Sequence, residues 1–148
     1  MKPMLPLLFA AALSVPLITS VASAATPARQ QAPANAHVYI ISPQDGSTVG
    51  ETVTVRFGLS GMGVAPSGVE RAKTGHHHLL IDVKELPPGN QPIPSDVQHV
   101  HFGAGQTETV LHLKPGTHTL QLDLGDAGHM QFDPPLVSKK ITIHVKAQ

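Results

Sequence analysis

The 148-residue chain has no cysteine and no tryptophan, one tyrosine and four phenylalanines. Without cysteine there is no disulfide staple, so the core must be stable by itself. There is also no cysteine to carry a lipid, and no thiolate ligand for a blue-copper electron-transfer centre. The missing tryptophan and disulfide exclude an antibody-type domain. Charge is sparse and balanced, with ten Lys plus Arg against ten Asp plus Glu. No basic stripe stands out, so nucleic acid is not an expected partner. After the first 24 residues no run is apolar enough to span a bilayer, and no membrane anchor is expected. No segment keeps a 3.6-residue period over three turns, and neither a phosphate-cradling glycine motif nor a nucleophile elbow occurs. No catalytic residues are therefore assigned.

The start of the chain reads as a targeting segment. Met1-Lys2 is basic, Leu5 to Val21 is mostly apolar, and Ala22-Ser23-Ala24 is a small-x-small cleavage site. This pattern predicts a secretory signal peptide over residues 1–24, cut after Ala24, and a periplasmic protein. Residues 25–36 are Ala, Thr, Pro, Arg, Gln and Asn without apolar periodicity, which predicts a flexible leader. Residues 37–148 then form a single domain.

Within that domain the apolar residues alternate. Val53, Val55, Phe57 and Leu59 share one face of a strand over 52–59, with Thr52, Thr54 and Arg56 on the other. Leu120, Leu122 and Leu124 do the same over 117–124. Further strands are read at 38–41, 76–83, 99–102, 107–113 and 137–145, separated by Gly- and Pro-rich turns such as Lys114-Pro115-Gly116. About seven short strands predict an all-β, immunoglobulin-like sandwich.

Histidine is the compositional anomaly, at ten residues. His76-His77-His78 opens the third strand, so a period of two puts His76 and His78 on one face and His77 on the other with Leu79 and Ile81. His99 and His101 make a second i, i+2 pair. His129 lies in the connection before the last strand. In a sandwich of this topology these segments meet at one end, which predicts a metal site of His76, His78, His99, His101 and His129. Imidazole nitrogen suits zinc or copper. The nearby thioethers of Met62 and Met130 tilt the expectation toward copper. Asp82 and Asp126 are candidate acceptors for imidazole N–H groups, and His77 is expected to be a structural hydrogen-bonding strut. The competing expectation is a metal-free module binding an envelope protein or a glycan through its long loops.

Several blocks carry a resemblance: Val38-Tyr39-Ile40-Ile41-Ser42-Pro43, Gly58-Leu59-Ser60-Gly61-Met62-Gly63, Gly75-His76-His77-His78-Leu79-Leu80-Ile81-Asp82, His101-Phe102-Gly103, Gly105-Gln106-Thr107-Glu108 and Pro115-Gly116-Thr117-His118-Thr119-Leu120-Gln121-Leu122. Together they resemble an uncharacterised family of bacterial exported domains, a domain of unknown function. The resemblance spans nearly the whole domain. It implies a periplasmic location and one compact unit, and it implies no activity.

Overall fold

A computed structural model describes residues 29–147 of the chain. The expected signal peptide, and residues 25–28 of the expected leader, lie outside the described residues. Nine strands follow in order: β1 (His37–Ser42), β2 (Thr48–Gly50), β3 (Thr52–Ser60), β4 (Gly63–Val64), β5 (Thr74–Ile81), β6 (His99–His101), β7 (Glu108–His112), β8 (Gly116–Gly125) and β9 (Ile141–Lys146). The fold is all-β. A three-stranded sheet β1-β3-β7 faces a second sheet ordered β2-β9-β8-β5-β4, with β6 paired to β5. This is the two-layer arrangement of an immunoglobulin-like sandwich. No helix among the described residues is long and apolar enough to cross a membrane.

Alternation builds the core between the layers. Val53, Val55 and Phe57 of β3 meet Leu79 of β5, Leu120 and Leu122 of β8, and Ile141, Ile143 and Val145 of β9. Each fully buried aliphatic side chain there is worth about 1.5–3 kcal/mol relative to exposure, which replaces what disulfides would supply.

Two features place the functional residues. First, β6 joins the β5 sheet, with His101 opposite His78 and His99 opposite Leu80. Second, the outward face of β5 is not solvated. His76, His78 and Leu80 are buried there. They lie under the segments 87–94 and 126–132, which are tied by a Pro92–Met130 bridge and the Ile93 N–H donating to the His129 carbonyl at 2.8 Å. Ile93, Met130 and Phe132 are buried in this outer layer, separate from the main core.

Part of the expected leader is docked rather than loose. Gln31 bridges to Asp133, and the Arg29 guanidinium donates to the carbonyls of Gln131 and Phe132. Ala36 is buried. Backbone pairing of Gln30 and Gln31 with Asp133, which composition does not report, ties this segment to the domain.

Candidate metal centre

Strand β5 pairs with β8 so that His76 faces Gly125, His77 faces Leu124 and His78 faces Asp123. Partners in an antiparallel register share a face. The outward face therefore carries His76, His78, Gly125 and Asp123, and β6 adds His101 beside His78.

Four imidazoles converge under the loop layer. The ring centre of His76 lies 4.9 Å from His78, 5.0 Å from His101 and 5.0 Å from His129. His78 and His101 stack at 5.0 Å, and His129 stands 4.8 Å from His101 and 6.0 Å from His78. One ring nitrogen from each of His76, His78 and His101 falls within 4.8 Å of the other two. Three close histidines of this kind could hold a metal ion. His76 and His78 are fully buried, while His101 and His129 are half-buried and give the cluster its solvent side.

Glycine makes the space. A Cβ at Gly125 would come within 2.8 Å of His78 Cε1, and one at Gly103 would overlap the His101 ring. Neither glycine has a positive φ, so close approach alone explains them.

The polar atoms are left without partners. Among the described residues neither ring nitrogen of His76 or His78 has a hydrogen-bond partner, nor does His101 Nε2. Buried polar atoms are almost always paired, and each unmade bond costs about 1–3 kcal/mol. Burial, followed by the charges of His129, His101 and His77, holds His76 down to about 4. Burial, then His76, His101, His129 and His77, holds His78 down to about 3. His101 is lowered too, by burial and then by His129. Both fully buried rings are therefore neutral near pH 7, the form that donates a lone pair to a metal.

The loop that delivers His129 is built by Asp126. Its Oδ1 accepts from the N–H groups of Gly128 and Met130, each at 2.9 Å, and its carbonyl accepts from the His129 N–H. His129 sits in the left-handed region at φ 66°, a position that costs a non-glycine residue about 1 kcal/mol or more.

The remaining residues singled out in the sequence fall elsewhere. His99 shares the outward face of β6 but lies one rung along, opposite Leu80. Its Nδ1 is paired with Asp96 Oδ1 at 2.9 Å, so it stands apart from the four rings. Asp82 does not receive an imidazole of the cluster. It binds His118 Nδ1 at 2.7 Å through Oδ2 and the Thr119 N–H through Oδ1. Asp126 serves its own loop rather than an imidazole. Met130 is buried beside His129, whereas Met62 lies in the turn between β3 and β4. His77 is on the core side as its parity requires, and it packs on Phe57 with ring centres 5.3 Å apart. Neither of its ring nitrogens makes a hydrogen bond of ordinary geometry. Burial takes it down to about 4, and the Gln106 backbone offsets only part of this.

One residue escaped the sequence reading. Asp123 is fully buried, with Oδ2 accepting from Gln131 Nε2 at 2.6 Å and Oδ1 unpartnered. Burial pushes its carboxyl up to about 6, against the Gln131 hydrogen bond and the charges of Arg29 and His99. Its position on an alternating strand reads as solvent-facing, and only the loop layer changes that.

A family model described as a domain of unknown function, DUF4399, matches residues 55–146, and the chain belongs to that family. The match includes every histidine of the cluster. No curated protein and no solved structure matches the chain.

Proposed function

We propose that this domain is a periplasmic transition-metal-binding protein that holds copper or zinc with His76, His78, His101 and His129. The observation that carries the reading is the set of unpartnered ring nitrogens of His76, His78 and His101, close together, with the His129 ring centre 4.8–6.0 Å from theirs. A four-coordinate ion with bonds of about 2.0–2.1 Å needs donor atoms about 3.3 Å apart. The nitrogens of His76, His78 and His101, within 4.8 Å of one another, must therefore draw in by at most about 1.5 Å, and no hydrogen bond holds those of His76 and His78 where they are. The half-buried edges of His101 and His129 provide the entry side. An all-nitrogen set suits Cu²⁺ or Zn²⁺. The signal-peptide pattern at residues 1–24 supports export, which would bring the domain to where such ions are stored, delivered or sensed.

The test is metal uptake by untagged domain, measured by elemental analysis after dialysis and by calorimetric titration. One ion per chain is expected, and none for the His76→Ala, His78→Ala double variant with its strand content retained. Wild-type protein that takes up neither copper nor zinc refutes the proposal.

A further inference from the structure

We propose that Asp123 is the charge-balancing residue of this centre, and that it sets a preference for divalent over monovalent ions. The inference rests on the metal-site reading above and deepens it. Imidazole coordinates a metal in its neutral form, so a dication held by these rings would leave two positive charges in a site whose inner rings are fully buried. Buried charge is tolerated only where an opposite charge compensates it.

Three other aspartates on these strands and loops are engaged. Asp126 Oδ1 accepts two backbone N–H groups of its own loop, Asp96 holds His99, and Asp82 holds His118. Asp123 is different. It stands directly across from His78 on the same face of the sheet, fully buried. Gln131 fixes one carboxylate oxygen at 2.6 Å, while the other has no partner among the described residues. An unpartnered buried carboxylate oxygen and unpartnered buried imidazole nitrogens on adjacent strands are complementary: an ion on the rings supplies the charge that the carboxylate lacks. Gln131 is itself held in place, because its carbonyl accepts from Arg29 Nε at 3.1 Å. Asp123 thus acts through the field at the ion rather than as one of the four ligands.

Zn²⁺ and Cu⁺ have the same closed d-shell and both accept four nitrogen donors, so comparing them isolates charge better than most pairs. Asp123→Asn keeps the size of the side chain and removes its charge. Loss of an outer residue hydrogen-bonded to a ligand typically costs about 10–100-fold in metal affinity, and removal of a charge one strand away is set at the low end of that range. The expected result is a Zn²⁺ affinity at least about tenfold weaker, with Cu⁺ affinity, measured anaerobically against a competing chelator, changed less than about threefold. Equal losses for both ions would show that Asp123 only supports the fold, and unchanged Zn²⁺ affinity would show that its charge is irrelevant; either overturns the proposal. A wild-type domain that binds neither ion defeats the metal reading itself, a separable outcome. A second measurement needs no variant. In wild-type protein the ¹³C resonance of the Asp123 carboxyl should shift on Zn²⁺ loading by more than on Cu⁺ loading, and a resonance that ignores Zn²⁺ overturns the assignment even if the Asn variant fails to fold.

Discussion

Acid should unfold the metal-free domain at a pH that most small domains survive. In the unfolded chain each imidazole takes up a proton as pH falls below about 6.5. In the folded domain burial holds His76 and His77 down to about 4 and His78 to about 3. Across that window the unfolded state binds more protons, so stability falls as pH falls. The loss starts near the unfolded value and is complete only below the folded ones. At pH 5 each of the three rings has forfeited about 2 kcal/mol relative to pH 8, roughly 6 kcal/mol together. Asp123 works the other way. Its raised folded value, about 6, means that the native state gains a proton first, which returns about 1.4 kcal/mol at pH 5. A net loss of about 5 kcal/mol rivals the whole stability of a marginal domain, commonly about 5–15 kcal/mol. Urea denaturation of chelator-treated protein at pH 8, 7, 6 and 5 measures this directly. His77 can be separated from the rest, because it lies on the opposite face: His77→Leu should remove about 2 kcal/mol of the pH dependence and leave metal uptake intact. If chelator-treated wild-type protein keeps the same stability at pH 5 as at pH 8, within about 1 kcal/mol, the neutral buried state of these rings is wrong.

Other outcomes test the geometry piece by piece. His129→Gly relieves a left-handed backbone and should leave stability unchanged or raise it by up to about 1 kcal/mol, while weakening metal binding at least tenfold in the same calorimetric titration. Gly125→Ala puts a methyl 2.8 Å from His78 Cε1; it should cost about 1–3 kcal/mol by overpacking and reduce uptake, and an innocuous substitution would contradict the tight cradle. His99→Ala should leave the bound-metal stoichiometry at wild-type level, because Asp96 holds that ring outside the cluster; a lost ion would return His99 to the site. For His118 burial lowers the pKa, but the Asp82 hydrogen bond, the Lys114 carbonyl and the Asp82 charge together raise it overall. That stabilisation is present below about pH 6.5 and fades as pH rises through the folded value. His118→Gln should therefore be the less stable protein at pH 6, by less than about 1 kcal/mol for so exposed a pair, with the gap closing by pH 9 in the urea series.

Much of the sandwich was legible because alternation is a local signal. The inward sets of β3 and β8 follow from Val, Phe and Leu at every second position, and the same rule put His77 on the core side. Strands β2 and β4 are three and two residues long, too short to show a period. Sheet membership is not local at all: nothing in His99-Val100-His101 says that it pairs with β5. That pairing is what brings His101 to His78. It also sets His99 one rung away from His78, since residues two apart on a strand are separated by about 6.6 Å. The site lies on the outer face of a sheet beneath loops, not at an end of the sandwich where the connections meet. One residue hinted at this. Leu80 shares the face of His76 and His78, and an apolar side chain there signals a cover. Asp123 gave no comparable hint, because an acid between Leu122 and Leu124 looks like any solvent-facing partner of an alternating strand.

The same outer face gives the strongest reason to read the cluster as functional. Leu80, two residues past His78, shows that this face accepts an aliphatic side chain and buries it to 2% exposure. Stability alone would extend that choice to positions 76 and 78, where leucine would remove unpartnered nitrogens costing about 1–3 kcal/mol each. The chain instead concentrates four departures within a few ångströms: buried imidazoles without hydrogen bonds, a carboxylate oxygen without a donor, a non-glycine residue at φ 66°, and two glycines that admit the rings. Single departures occur elsewhere, at Ser42 Oγ, on the two His77 nitrogens and in the left-handed backbone of Lys73 and Asp82, but among the described residues only on this face do so many fall together. Departures that coincide in space are where a fold gives up stability to something it binds. A cation with nitrogen-directed coordination relieves several of them at once, because it takes one lone pair from each ring and opposes the charge on Asp123. No neutral ligand would do both.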